Sequence, residues 1–258
     1  MDPMPRVTDP DAAISCSDLS IARLSADTRV VDGVSLRVMP GETIAVMGAT
    51  GSGKSSLASG LAGADHRDLR VVGGTGEVAG ISLRARGRAR RIRSFRTGHL
   101  AQGVNSALPS RLTISEIVAE PITARDRRVN ERALALRVAA LLDELQLPIG
   151  ASEKYPYELS SGMRQRVAIA RSLVLDPKVL IADEPYANLD VDVRPAVRDA
   201  LLRRTDDGMA LLVVTNERDL VTDLGAQVLI LRAGHPVGVG QSLEDVLWTP
   251  DEATRIGG

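Results

Sequence analysis

The sequence predicts an α/β fold in which the strands of a mostly parallel sheet alternate with helices. Continuous apolar runs at 43–47, 179–182 and 210–214 are typical of strands buried on both faces, and residues 228–231 form a further candidate strand. A glycine-rich loop and a helical stretch follow the first run directly. Residues 14–40 instead alternate in polarity up to a Pro40-Gly41 turn, so we expect an N-terminal antiparallel β portion beside the core.

The strand pattern stops between residues 96 and 158. Asn130 is a residue type that caps helix N-termini. An apolar face follows it as far as Pro148 and consists of Leu134, Val138, Leu141, Leu142 and Leu145. We therefore expect a helical subdomain, residues 96–158, inserted into an α/β core of residues 14–95 and 159–250. The chain, residues 1–258, then forms a single domain.

The composition is that of an ordinary globular protein, with 44% apolar and 25% charged residues and a formal net charge of −1. This charge gives no indication of a nucleic-acid partner. Cys16 is the single cysteine, which excludes an intramolecular disulfide and a metal site built from cysteines. The apolar runs are too short to cross a membrane, and residues 1–13 do not resemble a signal peptide, so we expect a cytoplasmic protein.

Residues 84–96 contain seven arginines. Two interpretations are open: a surface that contacts phosphate or lipid, and a solvated helix face. Apart from Phe95, no aromatic residue lies among the arginines, whereas surfaces that bind nucleic acid commonly interleave the two. This favours the solvated face.

The glycine-rich loop matches the pattern G-x-x-x-x-G-K-[ST] at residues 48–55 (GATGSGKS). Glycines let backbone amides turn inward around phosphate oxygens, and the N-terminus of the following helix adds partial positive charge. We expect Lys54 to hold the β- and γ-phosphates of ATP and the Ser55 hydroxyl to bind Mg²⁺. The predicted nucleotide contacts are Gly48, Ala49, Thr50, Gly51, Ser52, Gly53, Lys54, Ser55 and Ser56.

Two acidic residues, Asp183 and Glu184, end the apolar run that begins at Val179. A parallel strand would place both at the carboxyl edge of the sheet, where the phosphate loop also opens. We expect Asp183 to bind Mg²⁺ and Glu184 to polarise the attacking water as general base. Adjacent acids are common at surface turns, and the upstream phosphate loop is what favours the catalytic interpretation.

A third motif, residues 159–166 (LSSGMRQR), opens a helical stretch ahead of the acidic pair and resembles the LSGGQ signature of ABC ATPases. Residues 167–173 continue the resemblance. Gln102 lies where the family has its glutamine loop, and residues 187–190 (ANLD) are similar to the loop that crosses the dimer interface. The resemblance extends from about residue 14 to residue 250 and implies a P-loop NTPase core.

The resemblance also implies two ATPase domains that close head to tail around two ATP molecules. They would drive integral membrane permease subunits from the cytoplasmic face of the cell membrane, with ATP and Mg²⁺ as cofactors. The nucleotide site of this chain itself would be formed by Lys54, Ser55, Gln102, Asp183 and Glu184. Gln102 would be both a catalytic residue and a ligand of the metal. Ser160 and Gly162 would contact the nucleotide of the partner subunit.

Residues 101–113 (AQGVNSALPSRLT), Glu120-Pro121 and residues 155–160 (YPYELS) are similar to ATPases of dipeptide, oligopeptide and nickel importers. Many peptide-importer ATPases continue into a cysteine-rich tail, which is absent before Gly258, as in the shorter nickel and metallophore types. We therefore expect an importer of peptides, nickel or a metal chelate. The cargo stays open because an ATPase of this family does not contact it.

Three positions depart from the family pattern. Asn216 stands where the family has a histidine that contacts the γ-phosphate, and an amide neither carries charge nor shuttles a proton as imidazole does. No aromatic residue precedes Phe95 to stack on the adenine, although Leu24 could replace part of that contact. Ser161 replaces a signature glycine. We hypothesise that this chain has a slow or mainly nucleotide-holding site and pairs with a different ATPase subunit in a heterodimer.

Three alternatives stay open. Asn216 could be tolerated in a normally active site, or the chain could be a regulatory subunit with little turnover. A non-transport ABC ATPase of translation or DNA repair is the third. Such proteins usually join two ATPase domains or carry long coiled coils, and the sequence has neither feature.

Overall fold

The computed structural model describes residues 11–25, 28–63, 68–103, 107–126 and 128–248. Its strands are β1 (Ile14–Arg23), β2 (Thr28–Val38), β3 (Thr43–Met47), β4 (Leu69–Val78), β5 (Ile81–Ser82), β6 (Thr97–Leu100), β7 (Val179–Asp183), β8 (Ala210–Val214), β9 (Gln227–Arg232), β10 (His235–Gly240) and β11 (Leu247–Trp248). Its helices are α1 (Lys54–Ala62), α2 (Gly87–Arg96), α3 (Ile114–Thr123), α4 (Glu131–Glu144), α5 (Ser161–Leu173), α6 (Arg194–Asp206) and α7 (Arg218–Asp223). No helix within these described ranges is long and apolar enough to cross a membrane.

The larger sheet has the strand order β11-β10-β9-β3-β8-β7-β6. The strands from β9 to β6 in this order pair in parallel, and β10 and β11 add an antiparallel edge. The four apolar runs of the sequence form β3, β7, β8 and β9, which confirms the predicted mostly parallel α/β core. A separate antiparallel sheet has the order β2-β1-β4-β5, and its first two strands lie in the segment of alternating polarity.

The central strands are buried on both faces because successive side chains of a strand point to opposite sides. On β7, Val179 and Ile181 pack in a core shared with α1 and the antiparallel sheet. Leu180 and Ala182 pack on the opposite face, in a core shared with α3, α4, α5 and α6. This double burial explains why such strands appear in the sequence as continuous apolar runs.

The helix predicted from Asn130 is present as α4. The Asn130 side chain accepts a hydrogen bond from Ala133 N at 3.0 Å, as an N-cap residue does. Most of the predicted apolar face is buried, namely Val138, Leu141, Leu142 and Leu145, and Leu134 is partly buried against the same core.

The expected start of the strand-free segment at residue 96 is wrong, because β6 pairs in parallel with β7 at the edge of the larger sheet. No apolar run marks this strand in the sequence, since its four residues include Gly98 and His99. The segment without strands therefore begins after Leu100. The division into a core and an inserted helical subdomain stays a prediction.

Candidate functional site

The loop predicted to bind phosphate connects β3 to α1 at the carboxyl edge of the larger sheet. Gly48, Gly51 and Gly53 have φ angles of 145°, 81° and 99°, a region that favours glycine. A Cβ at Gly48 would lie 2.2 Å from Leu231 O, and one at Gly53 would lie 2.3 Å from Val30 O. Both glycines are therefore needed for the loop to pack against β9 and β2.

Lys54, the first residue of α1, is only 8% exposed. Its Nζ donates to Gly48 O at 2.6 Å and to Ala49 O at 3.1 Å, so carbonyls of the loop itself hold the ammonium group in place. Gly53 at the N-cap supplies no side chain to the first amides of α1, and helix geometry leaves these amides without an intrahelical partner. An ammonium group beside unsatisfied helix amides makes an anion-binding site.

Asp183, the last residue of β7, is 4% exposed, and its Oδ1 has no hydrogen-bond partner among the described residues. Burial raises the pKa of this carboxyl, while a hydrogen bond with Ser55 and the charge of Lys54 counteract the rise. Asp183, Ser55 and Gln102 line a common cavity of about 270 Å³. A carboxylate, a hydroxyl and an amide oxygen are hard donors of the kind that bind Mg²⁺ together with substrate phosphates, so these residues fit the expected ion.

Glu184 follows β7 with a left-handed φ of 49°. Its backbone N–H donates to Val214 O at 2.8 Å, and its Oε2 accepts a hydrogen bond from Thr215 Oγ1 at 3.1 Å. Burial raises the pKa of Glu184; the Thr215 hydrogen bond opposes this rise and the charge of Asp183 reinforces it. A carboxylate with a raised pKa accepts a proton more readily, which suits a general base.

Two side chains that the sequence analysis did not assign to the site support this turn. Thr215 is fully buried just after β8, and its Oγ1 also accepts a hydrogen bond from Glu217 N at 3.0 Å. Gln165 of α5 donates from Nε2 to the carbonyls of Glu184 and Pro185, at 3.2 and 3.3 Å. The contacts with Glu184 join residues 31 and 19 positions apart, so no local sequence pattern indicates them.

Asn216 lies beside the phosphate loop, where the resemblance places the histidine of the family. Its Oδ1 accepts a hydrogen bond from Gly48 N at 3.2 Å. The amide nitrogen of the same side chain remains available as a donor. Unlike a protonated imidazole, however, the amide adds no positive charge to this edge of the sheet.

The region expected to face the adenine carries an arginine in place of an aromatic residue. Arg23 ends β1 and lines the same cavity as Ser55 and Ser56. Its Nε lies 3.6 Å from Asp68 Oδ2, and a planar guanidinium can stack on an aromatic ring. Leu24, the expected substitute, is exposed and does not line this cavity. The adenine contact is expected near residues 24–27, of which 26 and 27 lie outside the described residues.

Ser160 and Gly162 begin the signature helix α5, and neither lines the cavities described beside the phosphate loop. Ser160 is the N-cap of α5, and its Oγ accepts a hydrogen bond from Met163 N at 3.2 Å. A Cβ at Gly162 would lie 2.7 Å from Asn188 O, so glycine lets the 187–190 loop pack closely against the signature. The structure therefore does not bring these two residues into the cavity of Ser55, Gln102 and Asp183.

A second cavity, of about 460 Å³, borders the phosphate loop. It is lined by residues 48–52, by residues 230–233 at the end of β9 and by Trp248 of β11. Trp248 is 58% exposed. No sequence pattern connects this aromatic residue with the loop, because the two are remote in sequence and meet only through the pairing of β11 with β10 and of β10 with β9.

A family model described as ABC transporter matches residues 31–187. The chain is 36% identical to the oligopeptide transport ATP-binding protein OppD of Mycobacterium tuberculosis over 242 residues, 91% of this chain and 38% of that protein. It is 33% identical to a putative peptide import ATP-binding protein of Brucella ovis over 238 residues, 88% of this chain and 70% of that protein. The chain thus spans less than half the length of the OppD relative.

Among solved structures, the chain is similar to the ATP-binding cassette MJ0796 in a dimeric post-hydrolysis state bound to ADP and Pi. The TM-score is 0.78 at 23% identity, covering 92% of this chain and 99% of that one, which shows a common fold. The matched segment of the family model runs from β2 through the phosphate loop and the signature to the acidic pair. The chain belongs to the ABC transporter family.

Proposed function

We propose that this chain is the ATP-binding and ATP-hydrolysing subunit that powers an ABC importer. The observation that carries the proposal is the cavity shared by Ser55, Gln102 and Asp183 beside the phosphate loop, where the buried Asp183 Oδ1 has no partner among the described residues. Lys54 and the first amides of α1 would bind the β- and γ-phosphates. Mg²⁺, held by Ser55, Gln102 and Asp183, would supply charge neutralisation at the phosphate oxygens.

Glu184 is the proposed general base. Thr215 engages Oε2 at 3.1 Å, so Oε1 is the oxygen that would take the proton of the attacking water. The raised pKa of Glu184 supports this role because it strengthens the carboxylate as a proton acceptor. Gln165 would act as a positioning residue, since it holds the backbone carbonyl of Glu184 rather than the reacting atoms.

Ser160 and Gly162 are proposed to serve the nucleotide of a second ATPase subunit. Their absence from the described cavities beside the phosphate loop supports a role in a partner's site. The start of α5 offers helix amides to an anion, as the start of α1 does. The MJ0796 cassette is dimeric, which supports a paired arrangement here as well.

A second candidate function is that of a subunit that mainly holds nucleotide. In this case the nucleotide site of this chain would hydrolyse ATP only slowly. Asn216 supports it, since an amide at the γ-phosphate position brings no positive charge and no proton shuttle. The guanidinium of Arg23 is the proposed support of the adenine ring in place of an aromatic residue. A partner subunit with a complete site would then carry most of the hydrolysis, which favours a heterodimer.

Peptides, nickel or metal chelates are the proposed cargo, and the peptide-import relatives favour peptides. Integral membrane permease subunits are the proposed partners, with this chain bound peripherally at the cytoplasmic face of the cell membrane. No nucleic-acid partner is proposed, since the net charge is −1.

ATP turnover by the complex isolated through this chain tests the proposal, with Glu184→Gln compared with the unaltered protein. Glu153→Gln, an exposed glutamate outside the site, is the matched control. A fall of about 10²-fold or more in the Glu184 variant alone would identify the own site as catalytic. Retained turnover would indicate that this chain mainly holds nucleotide, and failure of the unaltered complex to bind ATP would contradict both functions.

A further inference from the structure

The arginine-rich segment, residues 84–96, contains no acidic residue and forms α2 with the turn before it. Six of its seven arginines are exposed, as the solvated-face interpretation predicts. Arg93 is not: it is 3% exposed. A buried guanidinium in a segment without acids requires a different explanation from a solvated helix face.

Arg93 lies in a cleft of about 390 Å³ between α2, β4 and the last turns of α1. Five arginines line it: Arg70, Arg84, Arg86, Arg90 and Arg93. The rest of the described lining consists of apolar residues, Ser59 and glycines, and no carboxylate is among them. The cleft therefore concentrates positive charge at one concave site.

Two of these guanidinium groups, those of Arg84 and Arg93, keep donors that their hydrogen bonds to backbone carbonyls do not use. Arg93 donates from Nη1 to Ser82 O, and Arg84 donates from Nη1 to Gly74 O at 2.6 Å, which leaves further N–H groups on both side chains. Arg70 and Arg86 make no ion pair with a carboxylate of the described residues. Burial, and then the charge of Arg90, lower the pKa of Arg93, so an anion in the cleft would relieve an existing electrostatic penalty.

We propose that this cleft is a binding site for a small phosphate-bearing anion, distinct from the phosphate loop. Guanidinium groups bind phosphate through paired N–H donors, and several of them around one cavity match the oxygens of a phosphate group. The volume lies in the range of small-ligand sites, which argues against a polymer as the occupant. Ser59 and Leu69 line both this cleft and the cavity of Asp183, so the anion would lie next to the nucleotide site.

Two kinds of molecule could supply the phosphate group: a free phosphate compound and an anionic phospholipid through its head group. Binding is measured with inorganic pyrophosphate by titration calorimetry, and with vesicles of equal parts phosphatidylglycerol and phosphatidylcholine by co-sedimentation. All proteins carry Lys54→Ala, so that the phosphate loop contributes little to the signal. The test pair is Arg70→Gln with Arg86→Gln, two exposed residues without a contact to a described carboxylate, so their replacement leaves the fold intact.

The control pair, Arg88→Gln with Arg91→Gln, removes the same amount of charge at two exposed positions of α2 that lie outside the cleft. We expect the test pair to bind about tenfold more weakly than the control pair. Weakened pyrophosphate binding assigns the site to a free phosphate compound. Weakened vesicle binding, without pyrophosphate binding in any variant, assigns it to a lipid head group. Equal affinities of the two pairs, or no binding of either probe by the protein with all its arginines, would overturn the proposal.

Discussion

Asp183 carries a charge that the proposed Mg²⁺ site would need and that folding opposes. Folding raises its pKa, chiefly through burial. A carboxyl group whose pKa is higher in the folded than in the unfolded protein stabilises the fold at pH values below its pKa in the unfolded chain. This contribution is lost as the pH rises through its pKa in the folded protein. At neutral pH the buried carboxylate therefore destabilises the nucleotide-free chain. The site tolerates this penalty because a bound cation would compensate it.

We expect Asp183→Asn to raise the melting temperature of the nucleotide-free chain at neutral pH by roughly 2–4 °C, on the order of 1 kcal/mol, because the amide removes the buried charge. The gain should shrink as pH falls and the carboxyl of the unaltered protein becomes protonated. Thermal melts across this pH range check both statements. Asp143→Asn, at an exposed position of α4, is the control, and a lower melting temperature for Asp183→Asn at neutral pH would contradict the argument.

A second prediction at the scale of a single residue concerns Asn216. If its amide limits hydrolysis, Asn216→His should increase ATP turnover of the complex by about tenfold or more, because imidazole supplies a charge and a transferable proton beside the phosphate loop. Asn216→Ala serves as the control that removes the side chain without adding this chemistry. Turnover that stays unchanged or falls in the histidine variant would show that the amide is not what limits the site.

At the scale of elements, β11 places the single tryptophan of the sequence beside the phosphate loop. We expect the fluorescence emission of Trp248 to change in a saturable way when Mg·ATP is added, since Trp248 and residues 48–52 of the phosphate loop line one cavity. Lys54→Ala should shift the titration to concentrations about tenfold higher or more, because a charge-assisted contact is lost. Nucleotide binding detected by calorimetry without any change in emission would contradict this placement of the strand.

The elements that the sequence predicted best are those whose burial leaves a continuous pattern. β3, β7 and β8 are buried on both faces and are visible as apolar runs, and the capping residue Asn130 marks the start of α4. β6 is mostly buried too, but this short edge strand has the sequence Thr97-Gly98-His99-Leu100, which does not form an apolar run. Local signals therefore predicted the centre of the sheet and missed its edge.

At the scale of the whole molecule, the candidate site depends on contacts that only the fold creates. The motifs predict which residues would carry the chemistry, since each motif is continuous in sequence, and that assignment stays a prediction. They could not predict that Thr215 would hold Glu184, that Gln165 would tie α5 to the same turn, or that Arg23 would line the cavity. Each of these contacts joins segments that are remote in sequence and meet only in the folded chain.

The assignment of Ser160 to a partner's nucleotide makes a prediction about the assembled complex. Aspartate also caps helices, so Ser160→Asp should preserve α5 while it adds a negative charge where the γ-phosphate of the partner's ATP would lie. We expect this variant to lose most of the ATP turnover of the complex, because like charges repel across a closed interface. Binding of ATP by the isolated chain should stay unchanged, since Ser160 does not line its own nucleotide cavity.

Ser160→Asn separates charge from shape, because asparagine caps α5 equally well and is neutral. Turnover should therefore be retained far better in the asparagine variant than in the aspartate variant. ATP affinity of the isolated chain is measured by the emission of Trp248, and turnover is measured on the complex. Equal loss in both variants would point to packing at the start of α5 and not to a phosphate contact. Weaker ATP binding by the isolated aspartate variant would place Ser160 in the chain's own site and contradict the head-to-tail arrangement.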